Sequence, residues 1–345
     1  MKAPFPYFGG KSKVAHIVWD ALGQPKHYIE PFFGSGAVLL ARPEYHPGMM
    51  ETVNDKDGFI SNVWRGIQFA PDEVARWCDW PINHADLCAR RAELIRNEER
   101  LLKNLIADPQ WCDPVLAGYW IWAASCWIGA GLTRPNATPE LTENKGIHAI
   151  GKRPILTGFA DKGVHAAGQR IDIPKDCQGK GVHAAGQIPN IPKDCQGKGI
   201  HKISSNIYKW MHELSNRLRH VRVVCGDWMQ VCGGNWQDKN GNVGMFFDPP
   251  YGAIGRDKDI YSHDSMTIAK DVNAWVIERG SRSTFRIVLA GYREEHQNLL
   301  ESGWVEQIWK SNGGYGNQSG ENHNRERETL FFSPYCDRKQ MKLGL

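Results

Sequence analysis

The 345-residue sequence lacks the features that would place it in several specialised classes of protein. It has no uninterrupted apolar run of membrane length, so we expect no transmembrane helix and no membrane partner. Its first residues, MKAPFPYFGGKSK, lack the apolar core of a secretory signal, which predicts a cytoplasmic location. Nine cysteines are scattered without one C-x-x-C pair, so a disulfide framework is not expected.

A strong excess of charge of either sign is also missing. The formal net charge is +4, which is compatible with a polyanionic partner without indicating one. Hydrophobic residues make up 41% of the chain and charged residues 23%, as in soluble globular proteins. Tryptophan is abundant, with 14 residues, many of them between Trp64 and Trp127. For these we expect core and helix packing.

The order of local patterns predicts an α/β fold with an insert. Strand-like and helix-like runs alternate up to residue 70 and again from residue 204, as in an open, mostly parallel sheet. Residues 71–130 have helical periodicity instead, including PVLAGYWIWAASCWIGAG, a buried helix expected to be closed by glycine. Residues 144–203 repeat a motif dense in glycine and proline, which predicts loop or irregular β structure. We therefore predict one α/β domain from residues 1–70 and 204–345, interrupted by an insert over 71–203.

A short glycine motif follows the first predicted strand. In IEPFFGSGAVLLA, the acid Glu30 precedes Gly34 and Gly36. Small residues there let the backbone approach a ligand at the carboxyl edge of the sheet. The motif is not G-x-G-x-x-G, because Leu39 stands at the third position. A simple structural turn is the alternative interpretation.

Two further acids end predicted strands. In VNDKDG, Asp55 is placed where an acid commonly holds the ribose hydroxyls of a nucleoside-containing cofactor. In VCGDWMQ, Asp227 and Trp228 could hold an adenine through its amine and its face. A helix N-cap is the alternative for Asp55, and a cap beside a packed tryptophan is the alternative for the second pair.

The most specific motif is MFFDPPYG, in which an apolar strand runs into Asp248, Pro249, Pro250 and Tyr251. The exocyclic amine of a nucleobase is a poor nucleophile, because its lone pair is delocalised into the ring. The Asp248 carboxylate and the Pro249 carbonyl, both directed at its N–H bonds, can pull the nitrogen toward tetrahedral geometry. The prolines give the loop rigidity, and Tyr251 offers a face for an extruded base. A β-turn at the end of a strand is the alternative.

Taken in order, these motifs resemble the Dam-like family of DNA adenine N6-methyltransferases, with glycine loop, target-recognition insert and then DPPY. PFPYFGGKSKVA resembles the family's N-terminal cofactor motif, EPFFGSGAV its glycine motif, NDKD its ribose-binding acid, and CGDW its cofactor-adenine motif. GYREEH and RERETLFFSP are similar to phage and prophage members. The resemblance implies a Rossmann-like sheet of the S-adenosylmethionine-dependent methyltransferase type, with the insert as its target-recognition part.

The resemblance also implies S-adenosylmethionine as methyl donor, with no metal. It implies that Tyr7 and Lys11 lie at the methionine end of the cofactor and that Glu30, Gly34 and Gly36 form its loop. Asp55 is implied to bind the ribose, and Asp227 with Trp228 the adenine. The implied catalytic loop consists of Asp248, Pro249, Pro250 and Tyr251.

Double-stranded DNA is the implied substrate, with the target adenine flipped out of the stack. Arg256 and Lys258 follow DPPY and could contact phosphates, although a solvated loop is an equal alternative. Arg134 is a candidate for gripping guanine through two hydrogen bonds. Methylation of cytosine N4 or of RNA adenine, and DNA binding without catalysis, remain alternatives. The recognised sequence, the oligomeric state and a role in restriction, phage self-protection or regulation stay open.

The repeat raises the question of a zinc site. Its potential ligands are His148, His165, His183, His201, Cys177 and Cys195. No compact C-x₂-C or H-x₃-H pair occurs among them, and repetition alone makes the histidines recur. We therefore expect a lysine- and glycine-rich arm against DNA in preference to a metal site.

Overall fold

The chain divides into two compact units. The computed structural model describes residues 1–7, 10–127, 131–133, 139–140, 148–149, 200–234, 236, 241–250, 268–309 and 328–337. Residues 1–7 and 57–219 form one unit, the helical unit, and residues 8–56 and 220–345 form the other, the sheet unit. The sequence prediction places its boundaries at residues 70 and 204 instead.

The sheet unit contains a seven-stranded sheet. Its strands are β1 (His27–Glu30), β2 (Met50–Asp55), β5 (Val221–Cys225), β6 (Val243–Phe247), β7 (Phe285–Tyr292), β8 (Val305–Ile308) and β9 (Glu328–Phe332). They lie in the order β5-β2-β1-β6-β7-β9-β8. The first five in this order are parallel, whereas β9 is antiparallel to both of its neighbours. This confirms the predicted α/β class with an open, mostly parallel sheet.

The helices follow the predicted order. They are α1 (Ala15–Leu22), α2 (Ala37–Leu40), α3 (Gly58–Phe69), α4 (Pro71–Cys78), α5 (His84–Ala107), α6 (Pro114–Cys126), α7 (Ile200–Leu218), α8 (Met229–Cys232), α9 (Ile268–Gly280) and α10 (Gln297–Glu301). In the sheet unit, α1 packs on β6 and β7, and α9 packs on β7. All five residues of β6 are buried, as expected for an apolar strand in the middle of a mainly parallel sheet. No helix in the described ranges is long and apolar enough to cross a membrane.

The helical unit is built from α3 to α7, with a short antiparallel pair of β3 (Pro139–Glu140) and β4 (His148–Ala149). Asp57, Asn83 and Asp113 cap the N-termini of α3, α5 and α6 with their side chains. Trp64 and Trp122 are fully buried, which confirms core packing for these tryptophans.

Three details of the sequence prediction are wrong or incomplete. Helix α6 ends at Cys126, and its C-cap residue Trp127 is extended, so a glycine does not close it. Helix α7 begins at Ile200, inside the last copy of the repeat, whose final residues are therefore helical. The sequence did not predict β8, because this edge strand is partly exposed and lacks a clear apolar alternation.

Candidate active site

The candidate site residues lie where neighbouring parallel strands end. Glu30 is the last residue of β1 and Asp55 the last of β2. Asp227 follows β5 after one glycine, and Asp248 follows β6 directly. Strands β2 and β5 follow one another on one side of β1, whereas the next strand along the chain, β6, lies on the other side of β1. Such a switch point, at the carboxyl ends of the strands, is where open α/β sheets bind ligands.

Asn54 ties three of these strand ends together. Its buried side-chain amide donates to the carbonyl oxygens of Pro31 and Gly226, each at 3.0 Å. The main-chain carbonyl oxygen of Asn54 accepts the Phe33 N–H at 2.9 Å. The loops after β1 and β5 are thereby held to the end of β2. Sequence reasoning missed this residue, although a polar side chain inside the run METVND was a usable signal.

The glycine loop needs its glycines. Gly34 and Gly36 have φ values of +48° and +62°, in the left-handed region that other residues rarely adopt. A Cβ atom on Gly36 would lie 2.6 Å from the ring of Phe33. The loop is thus a specified turn that brings backbone close to the sheet edge.

Asp55 fastens this loop and does not cap a helix. Its Oδ2 accepts the Gly34 N–H at 2.8 Å. The N-cap of α3 is Asp57, whose Oδ1 accepts the Phe59 N–H at 2.8 Å. The alternative interpretation of Asp55 as the helix cap is therefore wrong, whereas its role as a ribose ligand stays a prediction.

Glu30 is a buried acid at the switch point. Its Oε2 accepts the Tyr28 hydroxyl at 2.9 Å. Burial raises the pKa of Glu30 well above its usual value, the Tyr28 hydrogen bond opposes that shift, and the nearby Asp248 charge adds to it. The carboxylate therefore holds a proton more readily than an exposed glutamate does.

Asp248 is paired with a buried cation. Its Oδ2 lies 2.8 Å from Nζ of Lys11, and the exposed fractions of the two side chains are 22% and 4%. Pro249 is buried and Pro250 partly buried, so the chain leaving β6 is confined. A charge-assisted bond at this distance fixes the direction of the carboxylate. The structure thus brings together two residues that the sequence separates by more than 200 positions.

A residue that sequence reasoning did not single out completes this group. Glu328 is the first residue of antiparallel β9 and pairs with Tyr292, the last residue of β7, so it stands at the same edge of the sheet. Burial raises its pKa, the Lys11 charge opposes that shift, and the Asp248 charge adds to it. The usable signal was an acid at the start of the last apolar run, ETLFF.

Asp227 and Trp228 match the alternative interpretation of a cap beside a packed tryptophan. Asp227 is exposed, and its Oδ1 accepts the Met229 N–H at 3.0 Å. Trp228 is only 6% exposed, and its ring contacts those of Phe247 and Trp275. A groove of about 490 Å³ runs beside them, but neither Lys11 nor Asp248 lines it. The cofactor role of the pair stays a prediction.

Several predicted residues are not brought to this edge by the described structure. Tyr7 belongs to the helical unit, where its ring lies 6.3 Å from that of Phe5. Tyr251, Arg134, Arg256 and Lys258 lie outside the described residues, as do the side chains of the repeat. Within the described parts of the chain, no group of three or more metal-ligating side chains occurs.

The composition of the edge indicates the kind of ligand it suits. Glu30, Asp55, Asp248 and Glu328 are acids at this edge, and the cation Lys11 forms an ion pair with Asp248. Such an edge favours hydroxyl donors and cations, and it disfavours the pyrophosphate that a dinucleotide site must hold. No protein-family model matches the chain, and no curated protein matches it.

Proposed function

We propose that this protein is an S-adenosylmethionine-dependent methyltransferase that modifies the N6 amine of a flipped-out adenine in double-stranded DNA. The observation that carries the proposal is the Lys11–Asp248 pair at the switch point of an open, mostly parallel sheet. The DPP residues follow β6, a parallel neighbour of β1, so a ligand at this edge would lie near the ends of both strands. The edge residues around them have the chemistry that the sequence resemblance implies.

The residues present fit the methyl donor. S-adenosylmethionine supplies an electrophilic methyl group on a cationic sulfur, together with an ammonium group and ribose hydroxyls. Asp55 and Glu30 offer carboxylates to such groups, and the turn at Gly34 and Gly36 lets backbone approach them. No metal is part of the proposal.

Asp248 would act on the amine. Its carboxylate, aimed by Lys11 at 2.8 Å, can accept one N–H of the target base. The carbonyl of Pro249 can accept the other, as the motif predicts, and the buried proline limits how far that carbonyl can turn. Both acceptors stabilise positive charge that develops on the nitrogen as its lone pair is used. The same carboxylate would take up the proton that the nitrogen loses.

DNA as the substrate rests on the resemblance. The acidic sheet edge by itself would repel a polyanion. The basic residues named for DNA, Arg134, Arg256 and Lys258, lie outside the described residues, and the net charge of +4 is only compatible with such a partner.

The test is methyl transfer by the purified full-length chain. Duplex DNA free of modified bases is incubated with methyl-labelled S-adenosylmethionine, and the nucleosides of the product are analysed. We expect label in N6-methyladenine, and a loss of at least about 100-fold in Asp248→Ala. Glu306→Gln is the matched control, because Glu306 is a carboxylate in an ion pair with Arg293 on the surface of the same unit.

Each other outcome has a distinct meaning. Label in N4-methylcytosine, or transfer only to RNA, would keep the chemistry and change the substrate. Calorimetry that detects no binding of S-adenosylmethionine would overturn the proposal and support a DNA-binding protein without catalysis. Full activity of Asp248→Ala would remove Asp248 from the mechanism.

A further inference from the structure

We propose that Asn54 is a positioning residue that sets the affinity for the methyl donor, because its side-chain amide fixes the spacing between two loops that would hold different parts of the donor. This inference rests on the proposed function, which assigns the donor to these loops. One is the glycine loop after β1, and the other is the segment between β5 and Asp227. Asn54 is only 1% exposed and acts through the loops, without contacting the donor itself.

The amide of Asn54 holds one carbonyl in each loop. Its Nδ2 donates to the carbonyl oxygens of Pro31 and Gly226, each at 3.0 Å. Pro31 directly follows Glu30, and Gly226 directly precedes Asp227. Each of these two acids is therefore one peptide away from a carbonyl that the amide fixes, so the amide controls the distance between them.

The neighbouring hydrogen bonds hold the same loops without using the Asn54 side chain. The main-chain carbonyl oxygen of Asn54 accepts the Phe33 N–H at 2.9 Å, and that of Asp55 accepts the Gly226 N–H at 3.1 Å. The Asp55 carboxylate accepts the Gly34 N–H at 2.8 Å. These bonds survive a substitution of the Asn54 side chain, so we expect a variant to fold and to lose only the two side-chain contacts.

The two contacts require an amide. The Nδ2 group of Asn54 has two N–H donors, and both neighbours are carbonyl acceptors. Its Oδ1 is inaccessible to solvent and has no hydrogen-bond partner among the described residues. Turning the amide around would place this oxygen against two carbonyl oxygens, where acceptors repel one another. An ionised aspartate has the same shape but no donor, so it would repel both carbonyls as well.

The topology separates this connection from Asp248. Asn54 stands near the end of β2, and the loops that it joins follow β1 and β5, the two neighbours of β2 in the sheet. Asp248 follows β6, on the other side of β1. Loss of the Asn54 amide should therefore weaken donor binding and leave the direction of the Asp248 carboxylate intact.

Asn62 in the helical unit offers a matched control. It is also 1% exposed, its Nδ2 donates to the carbonyl oxygen of Asp113 at 2.8 Å, and its Oδ1 accepts the Asp113 N–H at 2.7 Å. Both ends of this amide thus hold a single residue, the N-cap of α6. Asn62→Ala removes a comparable buried amide from a place to which the proposed function assigns no ligand.

The experiment compares the full-length wild type with Asn54→Ala, Asn54→Asp and Asn62→Ala at a temperature at which each chain is folded. Calorimetry gives the Kd for S-adenosylmethionine, and labelled methyl transfer to duplex DNA gives kcat and KM. In both Asn54 variants, Kd and KM for the donor should rise about 10-fold while kcat at saturating donor stays within about threefold. Asn62→Ala should melt at a lower temperature and keep the wild-type Kd.

The variants also define what would overturn the inference. A wild-type Kd in Asn54→Asp would show that the shape of the side chain matters and its donors do not. A fall in kcat with an unchanged Kd would place the effect at the reaction instead of at donor binding. If Asn54→Ala does not fold, Asn54→Ser, which retains one donor, takes its place.

Hydrogen exchange without the donor tests the connection between the loops independently of the reaction. In Asn54→Asp, peptides covering residues 31–36 and 226–228 should both exchange about 10-fold faster than in the wild type, whereas β7 should be unchanged. Faster exchange in one loop alone, or in neither, would overturn the inference even if the wild type methylates DNA. Faster exchange in both loops of a chain whose wild type binds no S-adenosylmethionine would overturn the proposed function and leave the connection intact.

Discussion

The helical unit and the sheet unit both bury charged side chains, but they compensate that charge differently. In the helical unit, buried Arg65 donates to the carbonyl oxygens of Leu105 and Asp108, each at 2.9 Å. At the edge of the sheet, Lys11 forms an ion pair with Asp248 at 2.8 Å, whereas one side-chain oxygen of Glu328 has no hydrogen-bond partner in the described structure. Ionisable groups with perturbed pKa values are more frequent at functional sites than elsewhere, which makes the sheet edge the better candidate for a site.

The charge of a second arginine in the helical unit, Arg90, is also compensated by groups other than an acid. The guanidinium of Arg90 lies 4.5 Å from the ring centroids of both Tyr119 and Trp122, and 5.2 Å from that of Trp80. It also donates to the carbonyl oxygen of Trp77 at 2.8 Å. Rings and carbonyls stabilise a guanidinium without an acid, so this charge stabilises the packing of α4, α5 and α6.

The largest effect should come from removing the cation at the sheet edge. Lys11→Met removes the ion-pair partner of Asp248, so methyl transfer should fall by at least about 100-fold. Labelled methyl transfer at saturating donor measures this. Lys13→Met, at an exposed lysine two residues further along, is the control and should keep the wild-type rate. A Lys11→Met chain with full activity would contradict the assignment of charge at the edge.

The matching change in the helical unit should affect stability and spare the chemistry. Arg65→Met leaves the carbonyls of Leu105, Asp108 and Trp111 without their donor, so the free energy of unfolding should fall by about 3 kcal/mol. Urea unfolding measures this, with exposed Arg96→Met as control. The methyl-transfer rate per folded molecule should stay within about twofold. A larger loss of rate would contradict the prediction that Arg65 contributes to stability and not to the reaction.

The glycine loop should show a smaller effect. Gly36→Ala forces a side chain into the left-handed region and toward the Phe33 ring, so we expect a loss of about 2 kcal/mol in unfolding free energy and a raised KM for the methyl donor. Gly303→Ala is the matched control, because φ is +80° there but the nearest heavy atom to a Cβ lies 3.8 Å away. Equal losses of unfolding free energy in the two variants would mean that backbone strain alone, without the Phe33 ring contact, explains why position 36 requires glycine.

The smallest effect concerns acid stability of the sheet unit. Burial lowers the pKa of His296 from 6.5 to about 4, so the neutral form is favoured in the folded chain. The contribution of neutral His296 to the free energy of unfolding is fully present above pH 6.5 and is lost as the pH falls toward 4. Glu30 and Glu328 act in the opposite direction, because their raised pKa values make protonation favour the folded state.

The difference between two variants isolates the histidine. His296→Gln should flatten the dependence of unfolding free energy on pH between 6.5 and 4, whereas His16→Gln, at an exposed histidine, should leave it parallel to that of the wild type. If the curves of unfolding free energy against pH for both variants were parallel to that of the wild type, groups other than His296 would cause the acid sensitivity.

Much of the fold was predictable because its elements have strong local signals. The run VGMFF predicts the buried strand β6, and the periodicity of residues 84–107 predicts α5. β8 was not predictable, because an exposed edge strand is specified by its pairing with β9 and not by its own pattern. The end of α6 was misplaced, since the cap is an extended Trp127 instead of a glycine.

The candidate site was predictable in its parts. Asp248, Asp55 and the glycines were identified because each ends a strand or opens a turn, and their motifs have a chemical meaning at that place. Asn54 and Glu328 were not identified, because their places depend on hydrogen bonds and strand pairing across the sheet. Trp228 shows the opposite case, a residue whose motif suggested a ligand and whose side chain packs in the core.

The sequence by itself determined the order of the strands along the chain, the acids at their ends and the resemblance that suggests methyl transfer to an amine. These depend on local spacing and residue type. Only the tertiary structure decided that Lys11 pairs with Asp248, that Asp55 holds the glycine loop and that Glu328 lies at the same edge of the sheet. Parallel strands bring distant carboxyl ends to one edge, and burial there changes the cost of each charge, so partners and pKa values become properties of the folded sheet.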